Sequence, residues 1–331
     1  MTREFDLKAG WSSVMPVTTP EMPSQATPDL YPSRTKDEPE ILERSDPVVY
    51  GGAADGPLSA DQLTLFEQQG FLILPAFLST AEVAACQREL SRLADSAEIR
   101  QRPEAIIEPD NAELRSLFAP HRPQPSRLFA QVAGDERIAR MAMQILNSDV
   151  YIHQSRINLK PGFAGKEFYW HSDFETWHVE DGMPRMRAVS CSILLTENFE
   201  FNGPLMLVPG SHHHYVSCVG ETPDDHYQLS LRRQQFGVPD NASLSRLVQD
   251  GGIVTGVGPA GTVVLFDCNV LHGSNGNITP YPRSNLFFVY NSVENPLCSP
   301  FCGKKPRPEF VASREHCPTI QPGPVDYEGA K

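Results

Sequence analysis

The chain has 331 residues, a net charge of −13 at pH 7, and 40% hydrophobic and 21% charged residues, which are typical of an ordinary globular protein. The acidic balance argues against a nucleic-acid surface, and the lack of an apolar run of about 18 residues argues against a membrane span. Residues 1–10 do not resemble a secretory signal, and the seven cysteines fit no disulfide framework or standard zinc spacing, so we expect reduced thiols in the cytoplasm.

The first half of the chain predicts three helices and one strand. Capping-box patterns at residues 59–62 and 79–82 predict two helix starts. A short buried strand is expected between them at residues 71–75. Residues 100–125 are typical of loops, and a third amphipathic helix is expected over about residues 135–146.

From residue 150 onwards the pattern changes to short apolar strands. We expect strands at residues 151–160, 168–174, 188–195, 203–208, 261–266 and 285–291. Many short strands after a helical part predict a mixed α+β fold, mainly β: an antiparallel jelly roll with helices packed on one side. The chain then divides into a disordered extension (1–30), one domain (31–322) with its jelly-roll core at about 150–295, and a flexible tail (323–331).

A His-x-Asp pair inside an aromatic run carries the first chemical signal. Side chains two apart on a strand share a face, so His171 and Asp173 can reach one metal ion. With His272 they would form the 2-His-1-carboxylate set of non-haem Fe(II) oxygenases. Arg283, eleven residues after His272, stands where an oxygenase that uses a 2-oxo acid needs a cation. Its planar fork binds a carboxylate bidentately and keeps its charge when buried.

Three segments carry a resemblance to a known family. They are the run FYWHSDFETWHVEDGMP at residues 168–184, GPLMLVPGSH at 203–212, and HGS at 272–274 followed by Arg283. Together they resemble the phytanoyl-CoA dioxygenase superfamily, and the first run resembles the signature of its ectoine hydroxylases. The likeness, over about residues 31–322, implies a double-stranded β-helix (a cupin-like jelly roll). It also implies hydroxylation of ectoine with Fe(II), 2-oxoglutarate and O2, by a homodimer in the bacterial cytoplasm.

The resemblance also implies where the two organic molecules bind. It places Asn158 and Ser192 near 2-oxoglutarate. Ectoine carries an amidinium cation and a carboxylate, so its pocket needs an aromatic wall and polar groups that orient the ring. The candidates for this pocket are Trp177 and Phe287 as walls, Gln154 as a hydrogen-bonding group, and Arg307 over the carboxylate.

Other histidines are set aside, and two other functions stay open. The tract at residues 212–214 follows a turn and is expected in a solvated loop, and His178 is interpreted either as a partner of a metal ligand or as a structural residue. His153 is next to Gln154 on a strand, so both are not expected to face the barrel. The open alternatives are a related dioxygenase that acts on another small substrate, and a non-catalytic cupin-like protein that binds a metal or a solute.

Overall fold

The computed structural model describes residues 28–108, 113–224, 227 and 236–329, so the predicted extension falls almost wholly outside the described residues. The helices are α1 Ala60–Gln69, α2 Thr80–Asp95, α3 Ala97–Arg100, α4 Arg127–Ala133, α5 Glu136–Leu146, α6 Asp173–Thr176 and α7 Asn241–Gly251, with a π-helix at Trp177–Asp181 and a 3-10 turn at Ser211–His213. None of the described helices has the length and apolarity needed to cross a bilayer.

The strands pair into three antiparallel sheets. They are β1 Glu40–Glu43, β2 Phe71–Leu74, β3 Ala105–Ile107, β4 Leu114–Phe118, β5 Val150–Lys160, β6 Phe168–His171, β7 Ala188–Leu194, β8 Leu205–Leu207, β9 His214–Ser217, β10 Val254–Gly256, β11 Val263–Asp267, β12 His272–Ser274 and β13 Arg283–Ser292. The large sheet has the order β2-β11-β7-β13-β5-β4-β3, the second β10-β8-β12-β6, and β1 pairs with β9. The predicted jelly roll is confirmed.

The two faces of the large sheet pack against different parts of the molecule. On β7, Val189, Cys191 and Ile193 belong to the core that the helices cover. Leu194 instead packs with Leu205 of the smaller sheet. Because side chains alternate along a strand, the even-numbered positions of β7 point into the space between the two sheets. The candidate site residues of β5, β7 and β13 face this interior.

Local capping explains where the first two helices begin. The Ser59 side chain accepts from the Gln62 amide at 3.2 Å, and the Ser79 side chain accepts from the Glu82 amide at 3.3 Å, as the capping boxes predict. The expectation of a loop over residues 100–125 is wrong, because β3 and β4 lie there. The charge of Arg115, which is buried and pairs with Glu108, interrupts the apolar pattern of β4.

The end of the chain lies against the domain. The Gly323 amide donates to Gly134 at 3.0 Å, and the Glu136 amide donates to the Gly323 carbonyl at 3.1 Å. Val325 and Tyr327 pack against the main core. Residues 323–329 are therefore docked at the start of α5, whereas the sequence predicted a flexible tail there. Two apolar side chains in a polar segment are enough to anchor it.

Candidate active site

Two strands of the smaller sheet bring the three candidate metal ligands together. β6 ends at His171 and β12 begins at His272, and these two residues are direct partners in the antiparallel ladder. Asp173 follows after Ser172. One ligand atom from each of His171, Asp173 and His272 lies within 4.8 Å of the other two. The described residues thus offer two imidazoles and one carboxylate to a single point.

Backbone hydrogen bonds orient both imidazoles. His171 Nδ1 lies 2.7 Å from the Tyr169 carbonyl, and His272 Nδ1 lies 3.0 Å from the Val270 carbonyl. Because a carbonyl oxygen only accepts, each Nδ1 must carry the proton. Each Nε2 is then left with a lone pair, and these atoms lie 3.5 and 3.7 Å from the carboxylate of Asp173. This is the arrangement in which a second hydrogen bond fixes the tautomer of a metal-binding histidine.

The Asp173 carboxylate is positioned by a helix and not by a strand, contrary to the prediction. The sequence predicted a strand over residues 168–174, with His171 and Asp173 on one face. The strand instead ends at His171, and Asp173 is the first residue of α6. Ser172 turns away, as predicted, and donates to Asn269 Oδ1 at 2.8 Å. The strand prediction was wrong beyond residue 171, because the aromatic side chains that favour a strand here pack around a helical segment instead.

Asp173 and His272 have the protonation states that suit a metal ion. Burial alone would raise the pKa of Asp173, but His272, His171 and Arg156 hold it at about 2. Burial, then the neighbouring His171, lowers the pKa of His272 to about 4. Because His272 is neutral above that pH, Arg156 is the charge that acts on Asp173 near neutrality. At pH 7 the site offers an anionic carboxylate and a neutral imidazole.

Buried cations without a described carboxylate partner lie deeper in the jelly roll. Arg283 is 2% exposed and Lys160 is 3% exposed. Arg283 Nη1 donates to the Gly203 carbonyl at 2.6 Å, while its Nε is buried without a described partner. Lys160 Nζ donates to Ser274 Oγ at 2.9 Å and to the Asn275 carbonyl. Burial, then the charge of Arg283, lowers the pKa of Lys160 to about 6. At pH 7 Arg283 therefore carries the charge, while Lys160 is mostly neutral, and an acidic ligand would stabilise the charged form of both.

Asn158 and Ser192 lie beside these cations. Asn158 is the strand partner of Asn285, whose Nδ2 donates to Ser192 Oγ at 3.1 Å. Asn158 Oδ1 accepts from Ser116 Oγ at 2.8 Å. The three strands β5, β13 and β7 thus present a row of amide and hydroxyl groups on one inner face. Asn285 Oδ1 is buried and has no described partner, so the row retains hydrogen-bonding capacity.

A cavity opens beside the triad. Its wall contains Asp173 and His272 together with Gln154 and Phe287. Gln154 Nε2 donates to the Val311 carbonyl at 2.7 Å, which holds the amide in place. Two of the four candidate substrate residues therefore lie next to the metal-binding point, one polar and one aromatic.

Comparison with known proteins agrees with this geometry. The sequence model of the phytanoyl-CoA dioxygenase family matches residues 66–285. The chain belongs to the phytanoyl-CoA dioxygenase family. This range covers His171, Asp173, His272 and Arg283, and it leaves the segment before α1 and the end of the chain outside.

Several relatives are much more similar than the family as a whole. The chain is 56% identical over 300 residues to the ectoine dioxygenase of Stutzerimonas stutzeri, which covers 90% of this chain and 99% of that protein. The crystal structure of EctD from S. alaskensis with 2-oxoglutarate and 5-hydroxyectoine is similar, with a TM-score of 0.80 and 48% identity over 88% of this chain and 97% of that one. The structure of the same enzyme with bound Fe gives a TM-score of 0.77 and 46% identity over 89% of this chain and 98% of that one.

The triad fits the iron that this family implies. Non-haem Fe(II) oxygenases hold the metal by two histidines and one carboxylate, and leave the remaining positions open. Here both Nε2 lone pairs and the Asp173 carboxylate point to one place, and the Nδ1 atoms are occupied by backbone carbonyls. No further described His, Cys, Asp or Glu joins this cluster. Three ligands are therefore what the protein supplies.

Trp177 and Arg307 do not line the cavity beside the triad. Trp177 is 2% exposed and packs edge-on against His153, with ring centroids 5.2 Å apart. Arg307 binds Asp181 with two hydrogen bonds of 2.7 and 2.5 Å. A carboxylate that reaches Arg307 would share the guanidinium with Asp181. Neither Trp177 nor Arg307 is therefore in direct contact with the cavity in this arrangement.

His153 and Gln154 do not both face the cavity, as predicted, and a β-bulge lies at His153. Gln154 and Ile152 pair with consecutive residues of β13, so His153 is an extra residue in β5. A bulge of this kind interrupts the alternation of side chains. Gln154 lines the cavity, whereas His153 packs against Trp177.

Sequence reasoning missed Arg156 and Lys160. They stand on β5 with Gln154 and Asn158, at every second position along the strand. Four polar or charged residues with the period of a strand indicate a polar interior face. That periodicity would have found both cations without the structure.

Proposed function

We propose that this protein hydroxylates ectoine to 5-hydroxyectoine, with conversion of 2-oxoglutarate and O2 to succinate and CO2. The observation that carries the proposal is the position of the triad in one barrel with the buried basic side chains of Arg283 and Lys160, neither of which pairs with a carboxylate among the described residues. A protein that only stores a metal or a solute needs neither an anchor for a dicarboxylate nor three ligands on one side. The 56% identity to an ectoine dioxygenase supports ectoine as the substrate.

Different residues of the barrel interior bind the metal and 2-oxoglutarate. His171, Asp173 and His272 hold Fe(II), which when bound supplies the activation of O2 that C–H hydroxylation requires. Arg283 and Lys160 bind the far carboxylate of 2-oxoglutarate, the first through its planar fork and the second as a point charge. Asn158, Ser192 and their amide and hydroxyl neighbours orient the molecule between the sheets.

The ectoine pocket uses the cavity beside the triad. Gln154 hydrogen-bonds the ring, and Phe287 lays an aromatic face against the amidinium cation. Trp177 closes the pocket from behind through His153. Arg307 binds the ectoine carboxylate while it keeps its pair with Asp181.

A coupled assay tests the proposal. Purified protein with Fe(II), 2-oxoglutarate and ectoine should release succinate and 5-hydroxyectoine in a 1:1 ratio. Asp173→Ala should abolish both products and leave the fold intact, because it removes a ligand and little core volume. Asp61→Ala, an exposed carboxylate in the first turn of α1, is the control.

Each other function gives a different result in this assay. Succinate release that depends on a different small solute would identify a related dioxygenase. Ectoine or metal binding without any succinate would identify a non-catalytic binding protein. Full activity of Asp173→Ala would remove the triad from the mechanism.

We further propose that the enzyme is a homodimer in the bacterial cytoplasm, as the resemblance implies, with no nucleic-acid or membrane partner. All seven cysteines are free, which suits a reducing compartment. The net charge of −13 disfavours a polyanionic partner. Light scattering after size exclusion would refute the dimer if it gave the mass of one chain.

A further inference from the structure

A buried ion cluster joins the segment before α1 to the helical turns that follow the triad. Arg34 donates Nε and Nη2 to the carboxylate of Glu175 at 3.0 and 2.7 Å, and Nη1 to Glu180 Oε1 at 2.7 Å. The three side chains are 2%, 1% and 5% exposed. Glu175 belongs to α6 and Glu180 to the π-helix, so one guanidinium bridges both turns.

Neighbouring residues reinforce the same connection. Ser33 Oγ donates to Glu175 Oε1 at 2.6 Å. Tyr31 is fully buried and packs edge-on against Phe174, with ring centroids 5.3 Å apart. We call residues 31–34 the strap. The strap covers the side of residues 173–181 by hydrogen bonds and by an aromatic contact together.

The backbone of the strap is held in a conformation that it would not choose by itself. Arg34 has a φ of 59°, in the left-handed region that residues other than glycine rarely adopt. Such a conformation persists only where the surrounding contacts determine it, and it is concentrated at functional sites. A Cβ built on Gly237 would lie 2.7 Å from Arg34 Nη2, so the chain closes tightly over this cluster.

The segment that the strap contacts, residues 173–181, contains a π-helix. A π-helix is rare and is found mostly at functional sites. Here it follows α6 directly, and the two turns carry Asp173 at their start and Trp177 in their middle. The family model matches from residue 66, so the strap lies before the range that the model covers. Its acidic partners Glu175 and Glu180 lie inside the run that resembles the ectoine hydroxylase signature.

We propose that Arg34 is a positioning residue for the reaction. Through Glu175 and Glu180 it fixes residues 173–181, so that the Asp173 carboxylate and the Trp177 ring keep their places relative to the two histidines. The inference rests on the proposed function for its catalytic consequence, whereas its structural part stands on the contacts alone. A misplacement of about 1 Å at a reacting centre lowers the rate by up to ~100-fold.

Arg34→Lys tests the role, with Arg44→Lys as the matched control. Lysine keeps the charge but loses the planar fork that binds both carboxylates. Arg44 precedes α1 as well and is equally buried, but it pairs with Asp267 of β11 at 2.8 Å. In metal-free protein, amide hydrogen exchange over residues 173–181 should become several-fold faster in Arg34→Lys and stay unchanged in Arg44→Lys.

The second readout is the ratio of 5-hydroxyectoine to succinate. It should fall several-fold in Arg34→Lys, because a displaced substrate site lets 2-oxoglutarate turn over without hydroxylation. It should stay near the wild-type value in Arg44→Lys, even if both variants melt at similarly lower temperatures. Equal exchange and equal coupling in the two variants would overturn the inference.

The remaining outcomes are also decisive. If Arg34→Lys does not fold, Ser33→Ala removes one hydrogen bond to Glu175 and should shift both readouts in the same direction by a smaller amount. No shift in either readout with Ser33→Ala would then overturn the inference. If wild-type protein does not hydroxylate ectoine, the proposed function fails, while the exchange comparison still decides whether the strap fixes residues 173–181.

Discussion

Replacement of Arg283 by methionine separates binding of 2-oxoglutarate from stability. The guanidinium is buried without a described carboxylate, and burial, then Arg156, lowers its pKa to about 10, so it stays charged at pH 7. Methionine fills similar space and removes that lone charge. The Gly203 carbonyl, which accepts from Arg283, still has Lys160 Nζ at 3.4 Å. We therefore expect Arg283→Met to melt no lower than wild type.

The effect on 2-oxoglutarate should be large. Loss of one partner of a buried, hydrogen-bonded charge pair costs about 2–5 kcal/mol. At ~1.4 kcal/mol per factor of ten, the KM for 2-oxoglutarate should rise between about 30-fold and several thousand-fold. Succinate release is measured against 2-oxoglutarate at saturating Fe(II) and ectoine, with thermal melting of the same samples.

Arg283→Lys is the control for geometry. It keeps the charge but not the fork, so its KM should lie between those of wild type and Arg283→Met. A wild-type KM in Arg283→Met would show that another residue anchors the far carboxylate. An early melt with a normal KM would make Arg283 a structural residue and refute the reasoning.

Further predictions concern Lys160, Trp177 and the segment before residue 26. Lys160 has a folded pKa of about 6, below its usual 10.5, so the unfolded chain binds more protons between these values and the metal-free protein should gain stability as pH rises through that range. Binding of 2-oxoglutarate should recharge Lys160, so its apparent affinity should fall from pH 6 to 9, and Lys160→Met should flatten that slope. Trp177 is packed among apolar side chains, so Trp177→Ala should lower the free energy of unfolding by about 3–5 kcal/mol. Trp177→Phe should keep the fold and raise only the KM for ectoine. An unchanged KM in Trp177→Phe would show that Trp177 is a packing residue. Deletion of residues 1–25, which lack an apolar pattern, should change neither melting temperature nor turnover, and loss of either would show that the segment contributes to the domain.

The features that the sequence predicted well depend on local rules. Ser59 and Ser79 start helices because a capping box needs only four consecutive residues. The approach of His272 to His171 was expected from residue type and spacing, since a His-x-Asp pair lacks one histidine of the 2-His-1-carboxylate set. Local chemistry and a short pattern were sufficient in both cases.

The features that the sequence did not predict depend on contacts between distant segments. The helical turns after His171 form although their aromatic residues favour a strand, because Glu175 meets Arg34 from far along the chain. The bulge at His153 exists only in the register between β5 and β13. Arg156 was overlooked because a charge in a buried strand is normally excluded, and only a ligand site makes it reasonable.

The hydrogen bonds that fix the two histidines have a consequence for how such an enzyme can change. Each imidazole donates to the carbonyl two residues earlier in the chain, at Tyr169 and Val270. A backbone carbonyl, and not a side chain, therefore fixes the orientation of each imidazole, so replacement of a neighbouring side chain does not remove this hydrogen bond. Pocket walls such as Phe287 or Gln154 can vary without disturbing the metal. Diversification toward new substrates is open at the walls while the oxidising centre stays the same.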